Sequence, residues 1–400
     1  MGIQGLLDHI EGQQTHIDNI RGKSVAIDGH CLLHKTAYRF AEEYVINGLT
    51  ANISKAVAQI VLDFIQISSH TILIFDGGYL PSKQATNQER NVQRQEALDK
   101  AKNESDFMLK RKYLQQAIGF PRQVVEQIAA QVINILKFHQ NFYCFLSPYE
   151  ADPQLISLQR CGLADIIVTL DSDLLLYGPS NVMFRYDGVS KTGFLVSSAQ
   201  IYEKTFKNIQ NSYELRKICI LSGCDYVDSL KGVGLIVAQK QLMGQKQIVQ
   251  CCQTLLMSKQ NPYDSDNIYV QNVLNALYTF NYNLVFDVST LTCNNLQTIT
   301  NDQVLDKYFN KKLGIKLSNE EVINVSCPQE FMVNSVNKLN KICKLQLTQQ
   351  YQIVDEEMID LYRIKENLVG QYTLQPTSTQ QQLSEVSPWF KSIKQSCIRE

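Results

Sequence analysis

Short unbroken apolar runs, separated by amphipathic stretches, set the rhythm of the first two thirds of the chain. Ser24-Val25-Ala26-Ile27 ends at Asp28, and Thr71-Ile72-Leu73-Ile74-Phe75 ends at Asp76-Gly77-Gly78. Residues 141–146 are aromatic-rich, and Asp165-Ile166-Ile167-Val168-Thr169-Leu170 ends at Asp171. Runs this short, with little polar alternation, suit strands covered on both faces. Between them, 56–67 and 124–138 carry apolar residues at helical spacing. Strand, helix, strand in this order predicts an α/β fold, a mainly parallel central sheet flanked by helices.

Residues 82–117 break the rhythm. They are polar and helix-favouring with almost no apolar stripe, which fits either a solvated helical excursion or a disordered insert. Residues 200–285 read as helical. Beyond about 345 the chain turns rich in Gln, Ser and Thr, as in Thr377-Ser378-Thr379-Gln380-Gln381-Gln382, which predicts a flexible tail over 346–400. No apolar run is long enough to predict a membrane-spanning helix. The opening residues lack a basic region followed by an apolar stretch, so no secretory signal is expected. Leu6 stands where a myristoylation pattern wants Ser or Thr.

Composition changes this picture only a little. A net charge of −1 argues against a generally basic nucleic-acid binder but leaves room for a local basic groove. The 11 cysteines are scattered, with no C-x-x-C pair, and are expected to be reduced, mostly structural thiols.

The acids carry more information. Asp28, Asp76 and Asp171 each follow a predicted parallel strand, and Glu150 and Asp152 follow the 141–146 strand in the same way. Parallel strands place their carboxyl ends on one edge of the sheet, where open α/β folds bind ligands. Asp173, two residues past Asp171, can reach the same space. Six carboxylates in one crevice repel one another unless cations are bound. Hard oxygen donors suit Mg²⁺ or Mn²⁺, and several of them suggest two ions clamping a phosphodiester. Each acid also has a plainer reading, since Asp after a strand is a common turn residue or helix cap. Ser147-Pro148-Tyr149-Glu150 has the form of a capping box with Glu150 at its third helical position.

Three further patterns bear on ligands. His30 and His34 would share a helix face, but Cys31 follows His30 and no third ligand is evident, so zinc is not expected. Gly232-Val233-Gly234 is weak as a dinucleotide loop, because it follows a helical stretch and lacks the third Gly. As a tight turn between helices it would present backbone N–H groups to a phosphate. Residues 82–117 hold Lys83, Arg90, Arg94, Lys100, Lys102, Lys110, Arg111 and Lys112 against fewer acids. Lys83, Arg90 and Arg94 fall on one helical face. A solvated mixed-charge helix is the plain alternative, but this one directly follows Asp76 and would overhang the acid crevice.

The chain resembles the structure-specific 5′ nucleases of the flap endonuclease family. The resemblance rests on Met1-Gly2-Ile3-Gln4-Gly5-Leu6-Leu7, Phe75-Asp76-Gly77, Leu80-Pro81-Ser82-Lys83, Pro148-Tyr149-Glu150-Ala151-Asp152, Asp171-Ser172-Asp173-Leu174-Leu175, Leu221-Ser222-Gly223-Cys224-Asp225-Tyr226 and Leu284-Val285-Phe286-Asp287. It covers about residues 1–300, less clearly to 345, and the first and fourth blocks favour the family's exonuclease branch. It implies a PIN-like nuclease core over 1–345, with an N-terminal region over about 1–99 and a helical arch over 82–117. It further implies an internal nuclease region over 138–230 and a helix–two-turn–helix DNA-binding element over 215–245. It implies seven metal-site carboxylates: Asp28, Asp76, Glu150, Asp152, Asp171, Asp173 and Asp225. Lys83 and Arg90 become the arch residues that reach the scissile phosphate. His34 falls where the family stacks a residue near the cleaved nucleotide, and Gly2 lies in a segment that approaches DNA. Gly232 and Gly234 would grip duplex backbone, with K⁺ held by carbonyls of Ser222, Ser229 and Val233. The implied activity is Mg²⁺-dependent 5′→3′ exonuclease and 5′-flap cleavage, with Mn²⁺ as a substitute ion. The implied setting is DNA repair in the nucleus, by a monomer without membrane association, with mismatch-repair or replication proteins as partners of the tail. There are departures. Leu170 stands where the family has Glu, and His30 replaces the usual Tyr. The tail lacks the family's long extension. A sliding-clamp motif is not met around Trp389-Phe390, because Leu383 occupies the Gln position.

Overall fold

The strands form where the apolar runs predict them. In the computed structural model β1 is Gln13–His16, β2 Val25–Asp28, β3 Thr71–Phe75, β4 Phe142–Leu146, β5 Ile166–Thr169, β6 Asn181–Asp187 and β7 Thr192–Ser197. The described residues are 2–346 apart from 206–208, 210, 246, 262–264 and 298–312, and all belong to one compact unit. The tail expected over 346–400, including Trp389 and Phe390, lies outside the described residues from 347 on.

In space the strands run β1-β7-β6-β5-β2-β3-β4. Neighbours from β6 through β4 are parallel, whereas β7 and β1 add an antiparallel edge. All residues of β2, β3, β4 and β5 are buried, as expected of strands covered on both faces. From β2 the chain steps outward through β3 to β4, then returns to β5 on the other side of β2. Right-handed crossovers then place helices on both faces of the sheet. The order reverses between β2 and β5, and that is where a doubly wound sheet opens a crevice at its carboxyl edge.

The helices are α1 Leu6–His9, α2 Gly29–Ala37, α3 Ala41–Asn47, α4 Ala51–Ile65, α5 Gln84–Asn103, α6 Phe107–Gln116 and α7 Arg122–Leu136. They continue with α8 Ala151–Arg160, α9 Ser212–Leu221, α10 Leu235–Gly244, α11 Ile248–Leu256 and α12 Asp266–Tyr282. A second hairpin, β8 Leu284–Asp287 with β9 Thr292–Asn295, and two helices, Asn319–Ser326 and Glu330–Gln346, complete the described chain. Helix α4 packs on α7, and α8 touches β2, β3 and β5. Phe64, Phe75 and Phe145 fill the core with no exposed surface.

The stretch 82–117 is a helical excursion. Helices α5 and α6 form an antiparallel pair, and only Ala97 and Ala101 of the long α5 are buried. The return leg is tied down where Gln115 Nε2 donates to the Tyr38 carbonyl at 3.0 Å.

Candidate active site

Asp28 ends β2 and caps α2. Its Oδ1 accepts from the Cys31 N–H at 3.0 Å, and its Oδ2 accepts from Thr169 Oγ1 at 2.7 Å. Thr169, the last residue of β5, thus fixes the carboxylate across the switch point. Asp76 follows β3, and its Oδ1 accepts from the Ala151 N–H at 2.8 Å. This bond overturns the capping-box reading of Ser147–Glu150. Glu150 is itself the cap position of α8 and makes no capping bond, while Ser147 Oγ turns back to the Tyr149 carbonyl. Asp76 serves the helix N-terminus from outside, which frees Glu150 for the crevice. The crossing is tight. A Cβ on Gly77 would lie 1.9 Å from the Ser147 carbonyl oxygen, so only glycine fits there.

Asp171 caps the short turn Ser172–Tyr177, with Oδ1 accepting from the Asp173 N–H at 3.0 Å. Gly2, at φ +86°, packs on this turn so closely that a Cβ would meet Asp171 Oδ1 at 2.2 Å. The neighbouring Ile3 N–H donates to Asp173 Oδ1 at 2.7 Å.

A cavity of about 540 Å³ opens at this edge, and Asp28, Asp76, Glu150, Asp152, Asp171 and Asp225 line it together with Gly2 and His34. Asp173, expected among them, adjoins this wall and is as buried as Asp28, with its Oδ1 held by the Ile3 N–H. Lys83, in the turn Pro81–Lys83 just before α5, and Arg90 and Arg94 of α5 line the same cavity. Lys83 Nζ reaches Glu150 Oε1 at 2.5 Å and Asp225 Oδ2 at 3.2 Å, and Arg90 Nη2 reaches Asp225 Oδ1 at 2.6 Å. Thr86 Oγ1 adds a bond to the Asp225 carbonyl at 2.7 Å. Arg94 leans instead over Gly119 and bonds to Asn91. Asp225 escapes the strand-end rule because it lies in the turn after α9.

The electrostatics follow from burial. Desolvation raises the carboxyl pKa of Asp28, Asp152, Asp171 and Asp173, and neighbouring carboxylates add to it: Asp76 on Asp28, and Asp171 on both Asp152 and Asp173. Burial works against the charge of Lys83, but Glu150 and Asp225 outweigh it and hold its pKa well above the usual value. Burial likewise opposes the charge of Asp225, yet Lys83 and Arg90 keep its carboxyl below the ordinary range. Burial, then His30 and the arginines, lowers His34 to about 3, so its ring is neutral. His34 stands edge-on to His30 at 5.2 Å and to Phe120 at 5.1 Å. His30 Nδ1 is buried without a hydrogen bond, 3.6 Å from Asp76 Oδ2.

As they stand, no three His, Cys, Asp or Glu side chains among the described residues make a ready metal site. Lys83 and Arg90 occupy part of the acid wall instead. The donors nevertheless fit a hard divalent cation. They are all carboxylate oxygens, and their charge is destabilised by burial and mutual repulsion in a way a cation relieves.

The Gly232–Gly234 turn lies outside this cavity, between α9 and α10. Gly232 has φ +80°, and Gly234 is exposed with open space around its Cβ position. Ser222 and Ser229 lie in the same connection, and Val233 is buried beneath it.

Fold and site together define a class: a doubly wound α/β protein with a carboxylate cluster at its switch point and a basic helical excursion above it. The chain belongs to the XPG family of nucleases, the XPG N-terminal domain matching residues 1–97 and the XPG I-region residues 141–225. It is 30% identical to Exonuclease 1 of Drosophila melanogaster over 72% of this chain and 40% of that protein. It is 34% identical to Exonuclease 1 of Danio rerio over 72% of this chain and 36% of that one. With Exodeoxyribonuclease 1 of Schizosaccharomyces pombe it shares 34% identity over 60% and 42% of the two chains. The chain thus spans about two fifths of the length of these relatives. Among solved structures, the catalytic core of Rad2 in complex with DNA substrate aligns with a TM-score of 0.48 at 14% identity, over 94% of this chain and 100% of that one.

Proposed function

We propose that the chain is a divalent-metal-dependent nuclease that hydrolyses DNA from 5′ ends, 5′→3′ along duplex and at 5′ flaps, in nuclear DNA repair. The observation that carries this reading is the single crevice walled by six carboxylates and faced by Lys83, Arg90 and Arg94. Asp28, Asp76, Glu150, Asp152, Asp171, Asp173 and Asp225 would hold two ions, Mg²⁺ or Mn²⁺. When bound, such ions supply an activated water and neutralise charge on the scissile phosphate.

The chain's own residues do the rest. Lys83 and Arg90 exchange their carboxylate partners for the incoming phosphate, so their charge meets the negative charge that develops there. Arg94 adds a phosphate contact along the same helix. Neutral His34, backed by Phe120, offers an apolar ring face to the terminal nucleotide. Gly2 lets the N-terminal segment lie against the Asp171–Asp173 turn at the rim. The exposed Gly232–Gly234 turn holds duplex backbone without reading bases, with K⁺ on the carbonyls of Ser222, Ser229 and Val233.

The test uses 5′-labelled and 3′-labelled nicked duplex and 5′-flap DNA, with Mg²⁺ and with EDTA. Release of 5′-phosphorylated products from the 5′ side, in Mg²⁺ only, is expected. Degradation from 3′ ends, or cleavage that persists in EDTA, would overturn the reading.

A further inference from the structure

Behind the crevice two tyrosines back the acid wall. Asn283 Nδ2 donates to Tyr177 Oη at 2.7 Å, and Tyr226 Oη bonds to Glu150 Oε2 at 2.8 Å. A carboxylate paired with lysine only accepts, so the Tyr226 hydrogen belongs to Glu150.

The anchoring is firm. Tyr177 and Asn283 are each 1% exposed. Phe280 stands edge-on to both rings, 5.2 Å from Tyr177 and 5.0 Å from Tyr226. The free face of Tyr226 meets Lys83, whose Nζ lies 5.3 Å from the ring centroid. Tyr226 thus touches both members of the Lys83–Glu150 pair.

We propose that Tyr226 is a positioning residue of this site. Its hydroxyl pins Glu150 Oε2 so that Oε1 alone faces the crevice, and its ring parks Lys83 on that oxygen until a divalent cation replaces it. Lys83 and the cation then use the same carboxylate oxygen in turn, and Glu150 stays in place as they exchange. Lys83 is released toward the phosphate only when the carboxylates have another counter-charge. This inference rests on the metal-dependent reading above.

Two variants separate the roles. Tyr226→Phe keeps the ring and deletes the hydroxyl, and Tyr226→Leu deletes both. Ca²⁺ binding is measured by calorimetry without DNA, alongside thermal unfolding and single-turnover cleavage titrated with Mg²⁺. Tyr226→Phe should weaken Ca²⁺ binding roughly 10-fold, as loss of a partner behind a metal ligand does. The Mg²⁺ needed for half-maximal cleavage should rise by a similar factor, with a smaller change in the rate at saturation. Tyr226→Leu should bind Ca²⁺ roughly 2-fold or more tighter than Tyr226→Phe, because without the ring–ammonium contact Lys83 no longer competes as strongly for the oxygen that the cation takes. Unchanged Ca²⁺ affinity in Tyr226→Phe would overturn the proposal, as would a loss of affinity matched by a fall in melting temperature. Asp171→Ala serves as the reference. If it binds Ca²⁺ as wild type does, the metal reading itself fails. If it loses binding while Tyr226→Phe does not, only the role of Tyr226 fails.

Discussion

Lys83→Met separates two things that this lysine does. In the resting protein its ammonium lies 2.5 Å from Glu150 and 3.2 Å from Asp225, and the three side chains are 18%, 16% and 21% exposed. Breaking a fully buried ion pair on one side costs about 3–5 kcal/mol, because a charge is left uncompensated. Here Arg90 still holds Asp225 and Tyr226 still holds Glu150, and partial exposure lets water screen what remains. A loss of about 2 kcal/mol is therefore expected without divalent ions. At ~2–4 °C per kcal/mol for a large domain, the melting temperature should fall by about 4–8 °C in EDTA. In Ca²⁺ the carboxylates have another counter-charge, and most of that gap should close. Single-turnover cleavage should drop roughly 10²–10³-fold, the usual result of removing one donor to developing negative charge. Affinity for 5′-flap DNA in Ca²⁺ should fall far less, since the contact strengthens on the way to the transition state. Differential scanning fluorimetry with EDTA or Ca²⁺, quenched-flow cleavage and equilibrium DNA binding measure the three quantities. An unchanged melting temperature in EDTA would show that the resting ion pair contributes nothing. Equal losses in binding and cleavage would reduce Lys83 to an ordinary phosphate contact.

Three shorter predictions follow from the same geometry. Asp171→Ala should lower cleavage roughly 10³-fold or more at near-saturating Mg²⁺ while duplex binding survives, and near-wild-type turnover would remove Asp171 from the metal site. Gly234→Asp has open space for its side chain, so the fold should persist. Duplex affinity should fall by a similar factor on unrelated sequences, whereas a loss confined to one sequence would point to base readout. His34, held neutral down to about pH 3 by burial and by neighbouring positive groups, refuses a proton that the unfolded chain takes up below about 6.5. Its contribution to stability is full above 6.5 and declines by up to ~1.4 kcal/mol per pH unit as pH falls toward 3. Urea denaturation of His34→Gln between pH 6.5 and 4.5 should therefore show a shallower loss than wild type, and parallel slopes would refute the assignment.

How much of this was legible in the sequence divides along physical lines. The buried strands β2 to β5 announce themselves because a strand covered on both faces has to be apolar throughout. The strands of the antiparallel end, β1, β6 and β7, do not, since buried positions there are broken up by exposed or partly exposed ones. The excursion 82–117 was legible as an anomaly, because a helix without a core-facing stripe leaves its polarity on view. Only the fold decided that it is two helices rather than a disordered insert.

The same division runs through the site. Asp28, Asp76 and Asp171 could be read from position alone, because the carboxyl ends of parallel strands share one edge. Asp225 came only from motif resemblance, for it follows a helix and reaches the crevice through a turn. The local pattern misled at Ser147–Glu150, where the capping box was displaced by Asp76, a residue far away in sequence that caps the helix instead. Thr169 and Tyr226 gave no signal as partners of carboxylates, because a hydroxyl shows its role only when packing brings an acceptor to it. The sequence by itself determined which residues are apolar enough to form the sheet and which acids its carboxyl edge receives. The tertiary structure decided which oxygens face the crevice and which cations neutralise them, because hydrogen bonds and ion pairs depend on distances of a few ångströms between elements far apart in the chain.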